Sequence, residues 1–387
     1  MRAKILILIS VLIFLAGCST IKGVIPGMGK KDSEAEPAKL ESFIEKVKLQ
    51  RAWRASSGKI KKNNKQIQPI LVDTTLYTSS SEGVITAFDA DTGRQLWSRK
   101  LKLALSAGVG YGDGLLLAGT ENGEVVALYA SNGNPAWVGE VKGGVLASPE
   151  GGQNIIVVPT SGDRLVGLSA TDGSPVWTLQ ESTPRLLLRG RGRPLVVSDV
   201  VFAGFDNGKM MLIRLDNGQR LWEVRVGDAV GKTEIERLAD VDARPIIIND
   251  TVYTAAYQSR VIAINAPSAR MIWENEISTN KDMDVDDKNL YIIGEEDVIF
   301  AVDQKTGKTV WEQDKLTNRG LTPPAVMGSY ILIGDKSGYL HVLEASTGEI
   351  VGRAKVGSEL LAQPVTRGLS AWIQTVDGDV YAWKLAE

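Results

Sequence analysis

Short apolar runs separated by glycine-containing turns recur along the chain from about residue 70 to its end. In the stretch 105–141, apolar runs cover 105–110, 115–119 and 124–129, and a fourth contains Trp137. The turn between the second and third runs ends in a glycine, which can adopt the positive φ that a tight hairpin requires. Runs of this length favour strands, and helical periodicity is confined to a short piece near 233–240. Each unit therefore predicts four short antiparallel strands.

The same unit repeats, and a tryptophan marks its fourth strand. Six copies end on a tryptophan, at intervals of 40, 40, 45, 51 and 38 residues: Trp97, Trp137, Trp177, Trp222, Trp273 and Trp311. Four antiparallel strands in about 40 residues are typical of a β-propeller blade. We interpret the tryptophans as packing between neighbouring blades, because their large area dominates such a contact. A ligand-stacking role for every copy is the less favoured alternative.

The two ends of the chain determine the number of blades. The C-terminal stretch supplies three strands, near 360–366, 371–375 and 380–385, without a fourth, whereas the segment ending at Trp53 resembles a fourth strand alone. Joining them completes a blade and removes the open edges of an unclosed ring. The sequence predicts an all-β, eight-bladed β-propeller with four antiparallel strands per blade, its last blade closed by the N-terminal strand. Seven blades would leave either the Trp53 strand or a seventh copy of the repeat unused.

That seventh copy departs from the repeat, because Gly352 stands where the tryptophan is expected. A glycine supplies none of the area that an indole would bury. We therefore expect a local loosening of the packing in this blade.

Composition argues against catalysis. The chain has 387 residues, with 40 glycines but one cysteine and one histidine. A single cysteine excludes an intramolecular disulfide, and one histidine leaves little for a metal site of histidines and cysteines or for a histidine-based triad. His341 alternates with apolar neighbours, so we interpret it as a strand residue rather than a ligand. We expect a protein that is not an enzyme and that has no metal and no cofactor.

Charge and hydrophobicity exclude two further classes of protein. The chain has 44 Lys and Arg against 46 Asp and Glu, a formal net charge of −2, and 43% hydrophobic residues. A disordered chain needs lower hydrophobicity and a higher net charge. Nucleic-acid binding needs a positive field that this composition does not supply. We expect a folded protein that binds no nucleic acid.

The N-terminus has the features of a secretion signal. A short basic region precedes the apolar run 5–15, which is too short to span a bilayer comfortably. The tetrapeptide LAGC ending at Cys18 resembles the lipobox of bacterial lipoproteins. That resemblance implies a signal peptide of residues 1–17 and lipid (palmitate) on Cys18, which anchors the chain in a membrane. A plain secretory signal with an unrelated cysteine is the alternative.

The residues after the cysteine indicate which membrane the lipid anchor would enter. Ser19 stands where inner-membrane lipoproteins carry an Asp, which implies the outer membrane and a chain that faces the periplasm. Residues 18–39 are rich in Gly, Pro and charges without apolar periodicity, so we interpret them as the lipidated cysteine and a flexible tether. The propeller then occupies 40–387.

Two intervals between tryptophans exceed the others. The intervals after Trp177 and Trp222 are 45 and 51 residues, and we place the excess in the connectors to the next blades. Connectors of one kind lie on one rim of a ring, and these two follow successive blades. We therefore expect them side by side, where insertions often form the binding face of a repeat protein.

The two connectors differ in chemistry. Segment 182–194 interleaves arginines with leucines, whereas 232–245 carries four acidic residues. In a docking surface the leucines would form an apolar anchor and Arg189 a bidentate donor to a partner carboxylate. Asp240 and Asp242 would form a charged rim. In the alternative, Arg189 pairs internally with either aspartate and ties the connectors together, and the two interpretations are compatible. An Asp-x-Asp pair alone lacks the other ligands of a calcium loop.

The repeat Ala/Gly-x-Asp/Ser-x-x-Thr/Asn-Gly-x-x-x-Trp resembles that of the quinoprotein dehydrogenases, eight-bladed propellers that hold pyrroloquinoline quinone. Those enzymes are typically much longer. Many stack the quinone beneath a vicinal cysteine pair beside calcium, and this chain has no second cysteine. A quinone-dependent dehydrogenase is therefore the enzymatic alternative to a binding protein.

The lipobox, the tether, the compact repeat and the segments STPRLLLRGRGRP and KTEIERLADVDARP together resemble the BamB family of outer-membrane protein assembly factors. The resemblance implies a scaffold that binds BamA within the BAM complex and assists insertion of β-barrel proteins into the outer membrane. Unfolded outer-membrane proteins, added as a strand at a blade edge, are a further candidate partner. A periplasmic binding module for another partner is the alternative. The family's contact positions map onto Leu186, Leu188, Arg189, Asp240 and Asp242.

Overall fold

Thirty-two strands in eight four-stranded sheets make up the fold of the described residues, with one 3-10 turn at Glu295–Asp297. The computed structural model describes residues 35–62, 64, 66–182, 192–228 and 239–386. The unit that carries the fold is Pro37–Glu387. The predicted all-β, eight-bladed propeller with four antiparallel strands per blade is confirmed.

The strands follow one another blade by blade. The first strand is β1 (Lys48–Ser56). Blades 1 and 2 follow as β2 (Ile70–Val72), β3 (Thr75–Ser79), β4 (Val84–Asp89), β5 (Gln95–Lys100); and β6 (Ala107–Gly112), β7 (Leu115–Gly119), β8 (Glu124–Tyr129), β9 (Pro135–Glu140). Blades 3 and 4 are β10 (Glu150–Gly152), β11 (Ile155–Thr160), β12 (Arg164–Ser169), β13 (Pro175–Gln180); and β14 (Leu195–Val197), β15 (Val200–Gly204), β16 (Lys209–Arg214), β17 (Arg220–Arg225). Blades 5 to 8 are β18 (Ile246–Ile248), β19 (Thr251–Ala255), β20 (Val261–Asn265), β21 (Arg270–Asn275); β22 (Asp284–Val285), β23 (Asn289–Ile293), β24 (Ile299–Asp303), β25 (Thr309–Gln313); β26 (Ala325–Met327), β27 (Tyr330–Gly334), β28 (Tyr339–Glu344), β29 (Ile350–Lys355); and β30 (Val365–Arg367), β31 (Ser370–Gln374), β32 (Asp379–Ala386) with β1.

Burial within a blade follows the order of its strands. In blade 2, β7 is buried along its whole length, whereas β9 alternates between buried and exposed positions. The middle strands are covered on both faces by the neighbouring blades, so apolar residues occupy consecutive positions there. The fourth strand lies at the outer edge, which gives the alternation of a strand with one wet face.

The first strand of the last blade is shorter than its sequence suggests. The apolar run predicted a strand near 360–366, but only Val365–Arg367 is a strand, and Leu360 forms an isolated bridge to Thr375. Most first strands in the ring have two or three residues. Each first strand follows directly on the connector from the preceding blade and lies at the edge of its sheet opposite the fourth strand.

The N-terminal strand closes the ring as the sequence predicts. Strand β1 pairs antiparallel with β32, with Trp53 opposite Ala382. Across the junction to blade 1, the indole Nε1 atoms of Trp53 and Trp372 donate to the carbonyl of Ala90 at 2.9 and 2.8 Å. The first and last parts of the chain are therefore held together by a backbone ladder and by side-chain contacts.

Each repeat tryptophan reaches into the following blade. The Nε1 of Trp97 in β5 donates to the carbonyl of Ala130, which follows β8, at 3.1 Å. A buried N–H of this kind needs such a partner, and the carbonyl of the next blade supplies it. The other tryptophans make the same bond at 2.8 to 2.9 Å: Trp53 to Ala90, Trp137 to Ala170, Trp177 to Leu215, Trp222 to Ala266, Trp273 to Gln304 and Trp311 to Ala345.

The seventh blade is packed differently from our expectation. A Cβ built on Gly352 would lie 2.8 Å from the carbonyl oxygen of Val47, and Val47 is only 4% exposed. The backbone N–H of Lys46 donates to the carbonyl of Val351 at 2.9 Å. The expected local loosening is wrong, because the segment 37–47 occupies the space that an indole would fill.

Candidate functional site

The two long connectors leave the same rim of the ring. One runs from β13 to β14 and the other from β17 to β18, each from a fourth strand to the first strand of the next blade. In four antiparallel strands, such connectors lie at the end opposite the turn between the third and fourth strands. Leu186, Leu188 and Arg189 fall in 183–191, outside the described residues. Most of the predicted helical piece near 233–240 also lies outside the described residues, within 229–238.

The inner ends of these connectors are in contact. A Cβ built on Gly192 would lie 2.9 Å from the carbonyl oxygen of Asp242 and 3.0 Å from that of Val241. Only a residue without a Cβ permits so close an approach between two backbones. The described ends of the two connectors are therefore neighbours, as their place after successive blades predicts.

The structure places the two acidic site residues differently. Asp242 is half-buried and lines the mouth of the central channel, whereas Asp240 is only 1% exposed. Ala239 and Val241, on either side of Asp240, are buried as well, so the whole segment 239–241 is packed between blades 4 and 5. The expected position of Asp240 on an exposed rim is thus not what the structure shows.

An ionic cluster joins the ends of both connectors. Arg193, at the end of the first, donates from Nη2 to Asp282 Oδ2 at 3.0 Å. The backbone N–H of Arg244, at the end of the second, donates to Asp282 Oδ1 at 2.8 Å. The guanidinium of Arg244 in turn donates to Glu150 Oε2 in β10 at 2.7 Å. Four side chains from blades 3 to 6 and their connectors thus meet at one place.

Our sequence reasoning missed Asp282, Arg244 and Glu150. These side chains belong to different blades and become neighbours only when the ring forms, so they have no signature along the sequence. One signal was present, because both long connectors end in the dipeptide Arg-Pro, at 193–194 and 244–245. A residue before proline is held in an extended conformation, which gives both arginines the same backbone setting at the start of an inner strand.

A cavity of about 840 Å³ opens at the channel mouth beside this cluster. All eight connectors between blades contribute to its wall, and Arg193, Asp242 and Asp282 form one side of it. Its size lies within the range of ligand pockets. The ends of the two long connectors, together with Asp282, therefore border this cavity.

The single histidine lies in a buried polar group of blade 7. His341 and Asp335 are both fully buried, and His341 Nε2 lies 3.0 Å from Asp335 Oδ2. His341 Nδ1 accepts a hydrogen bond from Arg353 Nε at 3.2 Å, so the proton of a neutral ring sits on Nε2. Burial lowers the pKa of His341 below its ordinary value, against the opposing effect of Asp335. His341 is a residue of strand β28, as we interpreted it.

The described residues hold neither of two further kinds of site. Within that part of the chain, His, Cys, Asp and Glu nowhere gather in a group of three that could hold a metal ion. Nor does any helix within the described ranges have the length and apolar character needed to cross a membrane.

The comparisons with known proteins identify the family. A family model described as "Outer membrane protein assembly factor BamB" matches residues 81–313 and 295–386. This chain belongs to the BamB family. The BamB of Legionella pneumophila is 41% identical over 97% of this chain and 98% of its own length. That of Pseudomonas aeruginosa is 40% identical over 98% of both chains. The crystal structure of BamB from Moraxella catarrhalis superposes with a TM-score of 0.80 at 25% identity, over 87% of this chain and 99% of that one.

The enzymatic alternative has a structural neighbour as well. The quinohemoprotein alcohol dehydrogenase of Comamonas testosteroni superposes with a TM-score of 0.69 at 13% identity, over 87% of this chain and 76% of that one. Such a likeness shows a shared propeller fold and nothing about activity. The curated BamB relatives are assembly factors, and the prediction that this chain is not an enzyme is confirmed by its family.

Proposed function

We propose that this chain is a scaffold of the β-barrel assembly machine that docks on BamA through its two long connectors and so assists outer-membrane protein assembly. Family membership supports the general role, since the relatives are named outer membrane protein assembly factors. The partner and the surface are the finer parts of the proposal.

One observation carries the choice of surface. The described ends of the connectors touch at Gly192 and Asp242, so segments 182–194 and 232–245 end at one place on the rim. A single partner domain can therefore contact both. The first would contribute the apolar anchor and bidentate donor of Leu186, Leu188 and Arg189. Asp242 would add a carboxylate, and the buried Asp240 would support the segment from within.

Capture of purified BamA tests this surface. Leu188→Ala and Arg189→Ala should each reduce capture, because a few central anchors carry most of the energy of an interface. Arg94→Ala and Leu96→Ala are matched controls, since both residues are exposed in blade 1 at or next to the turn before its fourth strand, away from the connector rim. Circular dichroism should show that all four variants keep the wild-type fold. Equal capture by all variants would place the interface elsewhere on the ring.

The proposal includes a lipid anchor on Cys18 that holds the chain at the outer membrane, facing the periplasm. Removal of residues 1–17 would leave this cysteine at the N-terminus, and Ser19 would direct it to the outer membrane. We expect Cys18→Ser to move the protein from the membrane fraction to the soluble periplasmic fraction. Ser19→Asp should shift it to the inner membrane instead. Outer-membrane recovery of both variants would contradict the anchor.

A further inference from the structure

The carboxylate of Asp282 touches both long connectors, with one oxygen for each. Its Oδ2 lies 3.0 Å from Arg193 Nη2, and its Oδ1 accepts the backbone N–H of Arg244 at 2.8 Å. We propose that Asp282 is the positioning residue that sets the two connectors of the docking surface relative to each other. The inference rests on the proposed function for its consequence in binding, whereas the geometry of the connectors can be tested without a partner.

Asp282 is itself held firmly in a third connector. Before it, Thr279 Oγ1 donates to the carbonyl of Ile293 at 2.6 Å, and Lys281 Nζ lies 2.6 Å from Asp297 Oδ1. After it, the side chain of Met283 is buried in the core between blades 5 and 6. A side chain flanked by three such contacts has little freedom to follow the connectors, so the connectors follow it.

The bonds of Asp282 are nearly closed off from water. Its side chain is 12% exposed and that of Arg193 is 16% exposed. A charged hydrogen bond is strong in such surroundings, and the loss of one member leaves the other charge desolvated. The guanidinium of Arg193 would then be more stable in solvent. It would move outward, and the end of the first connector would move with it.

The same cluster anchors the connectors to the ring from the other side. Arg244 Nη2 donates to Glu150 Oε2 at 2.7 Å, and Glu150 Oε1 accepts the backbone N–H of Val196 in β14 at 3.3 Å. Glu150 thus contacts the strand that follows the first connector as well as the end of the second. Asp282 and Glu150 both hold the two connector ends, so a small shift at these ends would also shift the segments that they hold.

Three variants separate the two bonds of Asp282. Asp282→Ala removes both, Asp282→Asn retains an acceptor for the N–H of Arg244 but loses the charge facing Arg193, and Arg193→Ala removes one bond from the other side. We expect Asp282→Ala to weaken BamA binding by about tenfold, or roughly 1.4 kcal/mol. Asp282→Ala combined with Arg193→Ala should cost less than the sum of the two single changes, because they remove a shared interaction.

Hydrogen–deuterium exchange supplies a readout that needs no partner. Exchange in peptides covering both 182–194 and 232–245 should rise in Asp282→Ala. It should rise chiefly in 182–194 in Asp282→Asn and Arg193→Ala. A general loss of stability would raise exchange in both connectors in every variant. A difference in exchange between the two connectors therefore identifies positioning.

Asp284→Ala is the matched control. Asp284 also joins two blades through a carboxylate, accepting the backbone N–H of Val326 at 2.7 Å, but that bond joins β22 of blade 6 to β26 of blade 7. We expect Asp284→Ala to leave BamA binding and exchange in both long connectors unchanged. Equal effects of Asp284→Ala and Asp282→Ala would overturn the inference, since any inter-blade carboxylate would then act alike.

The remaining outcomes distinguish this inference from the proposed function. Unchanged exchange and binding in Asp282→Ala, with binding lost in Arg189→Ala, would overturn the role of Asp282 and leave the docking surface intact. Wild-type protein that fails to bind BamA, together with the expected exchange pattern, would overturn the proposed partner and support the positioning role.

Discussion

Gly133 in blade 2 lies directly against the indole of Trp97 in blade 1, so that a Cβ built on the glycine would lie 2.5 Å from Cε3 of the ring. The glycine and the tryptophan of the repeat are therefore two halves of one contact, contributed by successive blades. The same pairing recurs around the ring, in Gly93 on Trp53, Gly173 on Trp137, Gly218 on Trp177, Gly307 on Trp273 and Gly348 on Trp311.

This pairing predicts that Gly133→Ala is much more harmful than an alanine at a similar but open turn. Gly133 has φ +69° and faces the ring, whereas Gly162 has φ +75° with nothing within 4 Å of its built Cβ. Gly162→Ala should cost about 1 kcal/mol for the left-handed backbone alone. Gly133→Ala should cost about 2 to 4 kcal/mol, because overpacking against the indole is added. Urea unfolding of the two variants measures the difference, and equal losses would contradict the contact.

Restoring the repeat at Gly352 should destabilise the protein. The segment 37–47 occupies the place of the missing indole, with the Val47 carbonyl 2.8 Å from a Cβ built on the glycine. Gly352→Trp should therefore displace that segment and release the backbone at Lys46 and Lys48 for cleavage by trypsin. We expect faster cleavage at these lysines than in the wild-type protein, with Gly357→Ala as the control because nothing lies within 4 Å of its built Cβ. Wild-type resistance of Gly352→Trp would show that the segment tolerates the indole.

The single histidine predicts a specific dependence of stability on pH. Burial lowers the pKa of His341 in the folded state, whereas the unfolded value is about 6.5. Below that value the unfolded chain binds the proton more readily, so the stabilising contribution is present above about pH 6.5 and is lost as the pH falls toward the folded pKa. Urea midpoints should decrease from about pH 7 to pH 5.

His341→Gln is the control for this titration, because the chain has one histidine and the variant therefore has none. Its urea midpoint should depend less on pH over the same range. A pH dependence identical to that of the wild type would assign the effect to other groups.

Arg319 should matter far more for stability than the exposed Lys46 of the N-terminal segment. It is 6% exposed, and its guanidinium donates to Asp335 Oδ2 at 2.8 Å and to the carbonyl of Ala38 at 2.8 Å. Arg319→Met should cost about 3 to 5 kcal/mol of unfolding free energy, because Asp335 would keep a buried charge with fewer partners.

The exposed pair of Lys46 and Glu349, 2.7 Å apart, provides the comparison. Lys46→Met should give no measurable change in urea unfolding, since surface ion pairs contribute little. Comparable losses in the two variants would show that the N-terminal segment, rather than the buried charge, determines the cost.

Several features followed from the sequence alone. The short apolar runs, the turn glycines and the recurring tryptophan predicted the blade, because each reports on local backbone geometry or on a contact that repeats with it. The lone strand at Trp53 and the incomplete last copy gave the closure of the ring. The position of the connectors 182–194 and 232–245 after successive blades gave their adjacency, which follows from topology without any side-chain contact.

The tertiary structure decided which side chains meet. Asp240 is drawn inside by its buried neighbours, Val47 fills the space at Gly352, and Asp282 joins connectors that belong to other blades. Val47 and Asp282 are far along the chain from the residues that they contact. Asp240 faces inward only because the residues on both sides of it are packed. Local patterns report the conformation of one segment, whereas the curvature of the ring brings such residues together.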